Sequence, residues 1–294
     1  MINHNDNFTT MGLPGSGSQN DPYRIEGFSI SDSDACINIT GTTAYIIIQD
    51  CILTQTSEGF AFGIYLWNVS NCYVIDCNVD VGYWGVYMYQ CEKGRVHDSD
   101  IKGNDACIII QESRNCTVSS NTLHEHQGAG LYFDSCNYSI AQCNVVEGQG
   151  ISQTGIAAFG PAWYCIIVNN TITGHYGSAV SLEGIGCLVQ NNSITQNYIG
   201  IYARELSENN TITLNRIEES ILCNARDDGS DNIWNSNWYS DYMGVGLYII
   251  PGNAQSIDHT PKPQNVVLLV AIVSIPTAIT FLIIAGIFKR YRRS

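Results

Sequence analysis

The sequence predicts an all-β protein: a parallel β-helix of about nine coils, followed by a single C-terminal transmembrane helix. Three observations point there. First, a short phrase recurs, an apolar residue, three or four small polar ones and then Ile, Val or Leu, as VIDCNV, VHDSDI, VSSNTL, IAQCNVV, IVNNTI, VQNNSI and ITLNRI. Second, its closing apolar residue falls at Ile30, Ile52, Val79, Ile101, Leu123, Val145, Ile172, Ile194 and Ile217, in steps of 22, 27, 22, 22, 22, 27, 22 and 23. A fixed period with occasional insertions is the mark of stacked repeats. Third, Val266 to Phe288 is a run of 23 residues without an ionisable side chain, long enough to cross a bilayer core of about 30 Å.

The columns of the repeat define its strands. Five residues before each closing residue stand Ile47, Val74, Val96, Val118, Ile140, Ile167, Val189 and Ile212, all β-branched, and the residue just before it is polar in nearly every coil. This is period-2 alternation, the pattern of a strand with one buried face. Two before the closing residue stand Asn121, Asn170, Asn192 and Asn215, an Asn column suited to a hydrogen-bonded ladder at a bend. A further strand follows in each coil, as GIYLWN, GVYMYQ, GLYFDS, GIAAFG and GIYARE. Its leading Gly is expected at a corner with positive φ. No Leu-rich consensus accompanies the period, which excludes a leucine-rich repeat. Nine coils at about 4.8 Å give a rod of about 40 Å, whose core only stacked neighbours can complete.

Around the coils the order is a lead-in at 1–27, repeats at 28–231, a C-terminal cap at 232–259 that includes NIWNSNWYSDY, a linker at 260–265, the span at 266–288 and a basic tail at 289–294. Pro276 falls inside the span, where a kink is tolerated. Lys289, Arg290, Arg292 and Arg293 follow it and place the tail in the cytoplasm by the positive-inside rule. The coils are then extracytoplasmic and the protein a single-pass membrane protein. Met1 to Leu13 has neither a basic nor an apolar region of a signal peptide, so either an upstream leader precedes it or the chain is tail-anchored with its coils in the cytosol. Tail anchoring would carry four cations across the membrane, and an upstream leader is therefore expected. Eight Asn-x-Ser/Thr sequons, at Asn7, Asn38, Asn68, Asn115, Asn137, Asn169, Asn191 and Asn209, are compatible with export. The formal charge is −14, and all 27 acids but only 9 of 13 cations precede the span. So acidic a surface excludes a nucleic-acid partner, which would need a Lys/Arg face.

The lead-in GSGSQNDPYRIEGFSI (Gly15–Ile30), the coils, and the closing NIWNSNWYSDY with YIIPGNAQSIDHTP (Tyr248–Pro261) together resemble the NosD-like right-handed parallel β-helix proteins of the pectin-lyase-like superfamily. The resemblance spans about residues 12–261. The usual aromatic order of the family's closing motif is reversed at Asn237-Trp238-Tyr239. The resemblance implies the fold and an extracytoplasmic place; activity varies widely on this architecture. A copper-delivery role, from which the family takes its name, is one implication of the resemblance.

Candidate chemistry is sparse. Of the twelve cysteines, Cys72, Cys116, Cys165 and Cys187 share an inward column with Tyr45 and Tyr138, and Cys77 and Cys143 share the Asn column. They read as small core hydrophobes. Cys165 and Cys187 are the nearest to a disulfide pair, although coil spacing exceeds the Cβ separation of about 3.8 Å that a bridge needs. No CxxC pair occurs, so no metal site or cofactor is assigned. Asp76 and Asp98 repeat in consecutive coils with Asp80, Asp100 and Asp105 close by and Lys102 the nearest cation, an acidic patch that reads as a solvated face. Stacked carboxylates are also the raw material of a cation site or a glycosidase pair. His124 and His126 read as a solvent loop, and no catalytic residue is assigned. The outward positions of the third strand differ: Tyr65, Trp67, Tyr87, Tyr89 and Tyr132 point away from the core, with Ile108 and Ile110 filling the same rows in the fourth coil. A stripe of Tyr and Trp at coil spacing is what a glycan- or protein-binding face presents. The expected function is therefore a membrane-anchored surface module that binds glycan or protein. A carbohydrate-active enzyme (lyase, hydrolase or epimerase) on the same fold is the second reading, and a copper metallochaperone the third.

Overall fold

The computed structural model describes residues 2, 5–32, 34–55, 59, 61–151 and 153–262. The apolar run at 266–288 and the basic tail lie outside the described residues. Among those described, no helix is long and apolar enough to cross a membrane.

Each coil supplies three short strands. In the first coil they are β1 (Tyr23–Glu26), β2 (Ser29–Asp32) and β3 (Ala35–Thr42). Equivalent strands of successive coils pair in parallel, giving two ten-stranded sheets and one nine-stranded sheet. We call them the first, second and third sheets after β1, β2 and β3. Nine coils are thus complete, and a tenth contributes only Ile233–Asn235 and Trp238–Tyr239. The chain is a right-handed parallel β-helix.

The pairing register corrects two coils of the sequence reading. The inward column of the second sheet runs Ile30, Leu53, Val79, Ile101, Leu123, Val146, Ile172, Ile194, Ile217 and Tyr239. Ile52 and Val145, placed there by periodicity, are 53% and 37% exposed. A one-residue slip sends every side chain of a strand to the other face. For the same reason Ile48 and Ala141, not Ile47 and Ile140, fill the first-sheet column, and exposed Tyr138 yields its place in the cysteine column to buried Ser139. From Leu53 to Ile217 this second-sheet column is essentially solvent-free. Each such aliphatic side chain contributes about 1.5–3 kcal/mol by leaving water.

The leading glycines of the third-sheet strands also differ from expectation. Gly63, Gly85, Gly130, Gly155 and Gly200 are absent from the positive-φ positions. They are there because nothing larger fits: a Cβ would lie 2.3 Å from Val79 at Gly63, 2.4 Å from Ile101 at Gly85 and 2.3 Å from Ile217 at Gly200. Positive φ belongs to another column. Asp50, Asp76, Asp98, Ser120, Cys143, Asn169, Asn191, Leu214 and Ser236, at the corner between first and second sheets, hold φ between 50° and 59°. Short polar side chains dominate because Asn and Asp tolerate that conformation. Five of the sequon asparagines (Asn68, Asn115, Asn169, Asn191, Asn209) hold this left-handed conformation, Asn169 and Asn191 in this same corner column.

The residue after each left-handed corner forms a ladder. Nδ2 of Asn121, Asn144, Asn170, Asn192 and Asn215 donates to Oδ1 of the next Asn at 2.9–3.0 Å, ending on Asn237. The same Oδ1 accepts the backbone N–H of the preceding rung. The second hydrogen of each Nδ2 goes to a carbonyl of an earlier coil, from Val96 for Asn121 to Ile212 for Asn237. Upstream, Ser99 and the thiols of Cys77 and Cys51 occupy the column, each thiol donating to backbone carbonyls. Cys143, predicted in this column, is exposed one residue away, and Asn144 stands there. Downstream, the fully buried Asp258 replaces the next amide. It accepts from Ser236 N, Asn237 N, Asn237 Nδ2, Tyr239 Oη and Thr260 N at 3.0–3.2 Å. A carboxylate suits the end of this chain because it offers acceptors only.

All twelve cysteines are free thiols, Cys165 and Cys187 included. At the entrance, the short helix α1 (Asn5–Thr10) lays Phe8 on Tyr23 with ring centres 4.5 Å apart. At the exit, Tyr248 stacks on Tyr239 at 3.7 Å, and the buried Asp227 accepts from Trp234, Asn232 and Ser256. The closing sequence motif is thus a plug tied to two buried carboxylates. Replacing Asp258 by Ala leaves several buried donors without an acceptor, and the expected loss is about 3 kcal/mol or more, read as a lowered urea midpoint. An unchanged midpoint would show that the ladder needs no terminal acceptor.

Candidate functional site

The outer face of the third sheet carries two outward rows. One runs Tyr65, Tyr87, Ile109, Tyr132, Ala157, Ser181, Tyr202 and Arg226; the other runs Trp67, Tyr89, Gln111, Asp134 and Phe159. Glu183, Arg204 and Asp228 follow one residue past their strands. Ile108 and Ile110, expected in these rows, are fully buried; in the unbroken run of isoleucines alternation cannot be read, and Ile109 is the outward one.

The predicted stripe divides into two parts. Tyr65, Tyr87 and Tyr89 form a cluster with Phe62 and Trp84, and Tyr87 lies 4.7 Å from Trp84, 5.6 Å from Tyr65 and 6.2 Å from Tyr89. These rings leave Tyr87 only 9% exposed, whereas Trp67 at the edge is 47% exposed. Tyr65 and Tyr87 are inclined by 48°, so they make a tilted cluster and not a flat platform. Tyr132 stands apart, edge-on to Phe159 at 5.2 Å.

Between the parts lies a groove of about 390 Å³. Trp84, Ile109, Tyr132 and Phe159 give it apolar walls, and Asp105, Gln111, Asp134 and Arg204 give it polar groups. Of the five predicted binding residues only Tyr132 lines it. Tyr87 Oη donates to Gln111 Oε1 at 2.6 Å, Gln111 Nε2 donates to Asp134 Oδ2 at 2.7 Å, and Trp84 Nε1 donates to Asp105 Oδ2 at 2.7 Å. Arg204 lies 4.9 Å over the Phe159 ring and donates to Ser181 Oγ at 2.9 Å. Burial, reinforced by Tyr65 and Tyr89, pushes the Tyr87 phenol up to about 12, and burial also raises Tyr132. Both are therefore protonated donors at neutral pH. Stepping the second row by the true register, Tyr89 to Gln111 to Asp134 to Phe159, is the signal that reaches these residues.

Apart from Asp105, which lines the groove, the acidic patch lies elsewhere. Asp76 and Asp98 are left-handed corner residues. Asp80 and Asp100 project from the second sheet, where Lys102 approaches Asp80 at 3.8 Å and Glu125 at 3.0 Å and His124 meets Asp100 at 2.5 Å. His97 pairs with Asp98 at 2.8 Å.

His126, expected in a solvent loop, is 1% exposed, as is His175 two coils on. Their Nε2 atoms are 3.1 Å apart. Asn197 Oδ1 accepts from His175 Nδ1 at 2.9 Å while its own Nδ2 donates to carbonyls. His175 is thereby protonated on Nδ1, and its Nε2 accepts from His126 Nε2–H. His126 Nδ1 faces the Cys107 thiol at 3.7 Å.

The fold and groove define a right-handed β-helix protein with a ligand-sized cleft on one sheet. The model of the family described as "Periplasmic copper-binding protein (NosD)" matches residues 7–157 and again 60–254. The chain belongs to the NosD family. No curated protein matches it significantly. Among solved structures it is similar to the periplasmic alginate epimerase AlgG (TM-score 0.59, 17% identity, 82% of this chain and 67% of that one). In a second structure of that epimerase, an engineered variant, the chain spans only 62% of the length. It is also similar to the A-module of the Azotobacter vinelandii mannuronan C-5 epimerase AlgE6 (0.54, 13%, 82% and 73%). Tailspike protein 2 of an Escherichia coli bacteriophage is a third (0.54, 12%, 75% and 35%). At these identities the likeness is one of fold.

The residues present do not fit copper. The buried thiols donate to backbone carbonyls, Cys91 to Leu66 and Tyr89 and Cys136 to Ile110 and Asp134. Burial pushes Cys91 up to about 11 and Cys136 up to about 12, so both stay protonated. The two histidine Nε2 atoms are taken up by the hydrogen bond they share at 3.1 Å. Among the described residues no group of three or more His, Cys, Asp or Glu could hold a metal ion.

The histidine pair instead carries a pH dependence. Burial, then the neighbouring His175 and His124, push His126 down to about 3, and burial pushes His175 down to about 4. An unfolded His titrates near about 6.5. Below that value the unfolded chain binds protons that the fold refuses. Stability is then full above about pH 6.5 and falls towards pH 4, by up to about 2.7 kcal/mol per unit for two such groups. Urea midpoints measured across this range should decline, with roughly half the slope in a His126→Gln variant. A flat profile would mean the pair is not neutral in the fold.

Proposed function

We propose that this protein is a cell-surface β-helix, held to a membrane by the apolar run at 266–288 with its coils on the outer side, that binds a saccharide in the third-sheet groove. The groove is the observation that carries the reading. Trp84, Tyr132 and Phe159 converge with Gln111, Asp134 and Arg204 on about 390 Å³ of open space. A sugar ring offers a C–H face and a rim of hydroxyls, which aromatic walls and fixed polar groups complement. Two of the fold neighbours are named for acting on alginate or mannuronan; the groove, more than that likeness, supports a saccharide here. The tail's Lys289, Arg290, Arg292 and Arg293 support the topology.

The test is a glycan array probed with the full-length chain in detergent, alongside a Tyr132→Ala, Phe159→Ala double variant. Each lost ring should cost about 1 kcal/mol or more, so the variant should bind the captured glycan about tenfold more weakly or worse while melting cooperatively. Equal capture would remove the groove as the site. Cleavage or epimerisation of a captured polysaccharide would convert the reading to a carbohydrate-active enzyme. Protease added to intact cells should digest the coils; protection until lysis would reverse the topology.

A further inference from the structure

We propose that the groove selects by charge: it takes a saccharide of hexosamine units carrying free ammonium groups and rejects polymers of uronic acid. This rests on the reading of the groove as a saccharide site and narrows its ligand. Two carboxylates face the groove, and among the described residues the hydrogen bonds they accept come from neutral donors. Asp105 accepts from the Trp84 indole at 2.7 Å. Asp134 accepts from Gln111 Nε2 at 2.7 Å and from Ser135 Oγ at 3.1 Å. Among the described residues neither takes part in an ion pair, although Arg204 and Arg226 nearby do.

The groove's cation is already committed. Arg204 Nε donates to Ser181 Oγ at 2.9 Å, its Nη1 stands 3.5 Å from Glu183, and its guanidinium lies over the rings of Phe159 and Tyr202 at 4.9 Å and 5.4 Å. Further along the face, Arg226 is held by Asp228 at 2.8 Å. A uronate carboxylate would thus meet two unneutralised carboxylates and a guanidinium that has partners, on a chain of net charge −14. Like charges brought together at the groove repel, the more so at low salt. An ammonium, by contrast, would form a charge-assisted hydrogen bond with Asp105 or Asp134, while its ring lay against Tyr132, Phe159 or Trp84. Alginate and mannuronan are uronate polymers, so this preference sets the chain apart from the epimerases whose fold it shares.

The full-length chain in detergent is titrated with four probes: a glucosamine hexamer, its N-acetylated counterpart, a mannuronate hexamer and spermine. Each titration is run at about 20 mM and about 200 mM salt, which changes the screening length severalfold. The free-amine hexamer should bind at least about tenfold more tightly than the acetylated one, with the advantage shrinking at the higher salt. The mannuronate hexamer should not bind measurably. An Asp105→Asn, Asp134→Asn variant with unchanged melting should lose the advantage, its affinity for the free-amine hexamer falling by more than its affinity for the acetylated one. Equal affinity for the two hexosamine probes, or tighter binding of mannuronate, overturns the charge selection and leaves the saccharide site standing. Spermine binding as tightly as the amine hexamer overturns it too, because charge alone would then suffice. Failure of all the sugars to bind overturns both readings. If the variant does not fold, the salt response of the wild type decides.

Discussion

The amide ladder from Asn121 to Asn237 is the interaction on which the rest of the structure depends. Parallel strands of three or four residues, stacked coil upon coil, could slide by one position at small cost wherever neighbouring residues are both apolar. The ladder forbids this. Each Asn uses both amide hydrogens and both acceptor sites, one set on its neighbour and one on the backbone, so a displaced coil would bury an unsatisfied amide at about 1–3 kcal/mol per group. The ladder also has a direction, donors pointing to later coils, and so requires an acceptor without hydrogens at its end. Asp258 is that acceptor, and the closing motif folds back to deliver it.

Register then dictates the outer surface. Because side chains alternate, holding the inward columns fixes which residues line up outside, coil after coil. Tyr132, Asp134 and Phe159 meet Gln111 and Trp84 on one face because the insertion between Glu147 and Thr154, in the coil that carries Phe159, is absorbed at a corner. The glycines that lead the third-sheet strands serve the same end, admitting the aliphatic column of the next coil so closely that no Cβ fits.

Much of this was legible in the sequence, and where it was not the cause is local. The period of 22 and the Asn column define the coils without ambiguity through the middle of the chain. At Ile52-Leu53 and Val145-Val146 two apolar residues stand side by side, and hydrophobicity cannot choose between them. The ladder column could have chosen, since Asn144 and Cys51 fall in line only with Val146 and Leu53. Ile108-Ile109-Ile110 fails in the same way, which hid Gln111 and so the link from Tyr89 to Asp134. Arg204 and Trp84 reach the groove from distant coils, and no spacing rule connects them. His126 was misplaced because an isolated polar residue near Glu and Gln resembles a loop, whereas its partner His175 lies 49 residues away.

The family name points to copper, but the side chains present here are arranged for other ends: thiols plug corners, imidazoles satisfy one another, and the open chemistry is that of the groove. The central claim, that ligand binds on the outer face of the third sheet, is tested most directly by hydrogen–deuterium exchange of the full-length chain with and without a captured saccharide. Protection is expected in segments 103–112, 127–136 and 153–160, with the second-sheet segments around Asp80 and Asp100 unchanged. Protection confined to those second-sheet segments, or to the corners bearing Tyr138 and Tyr164, would contradict the account.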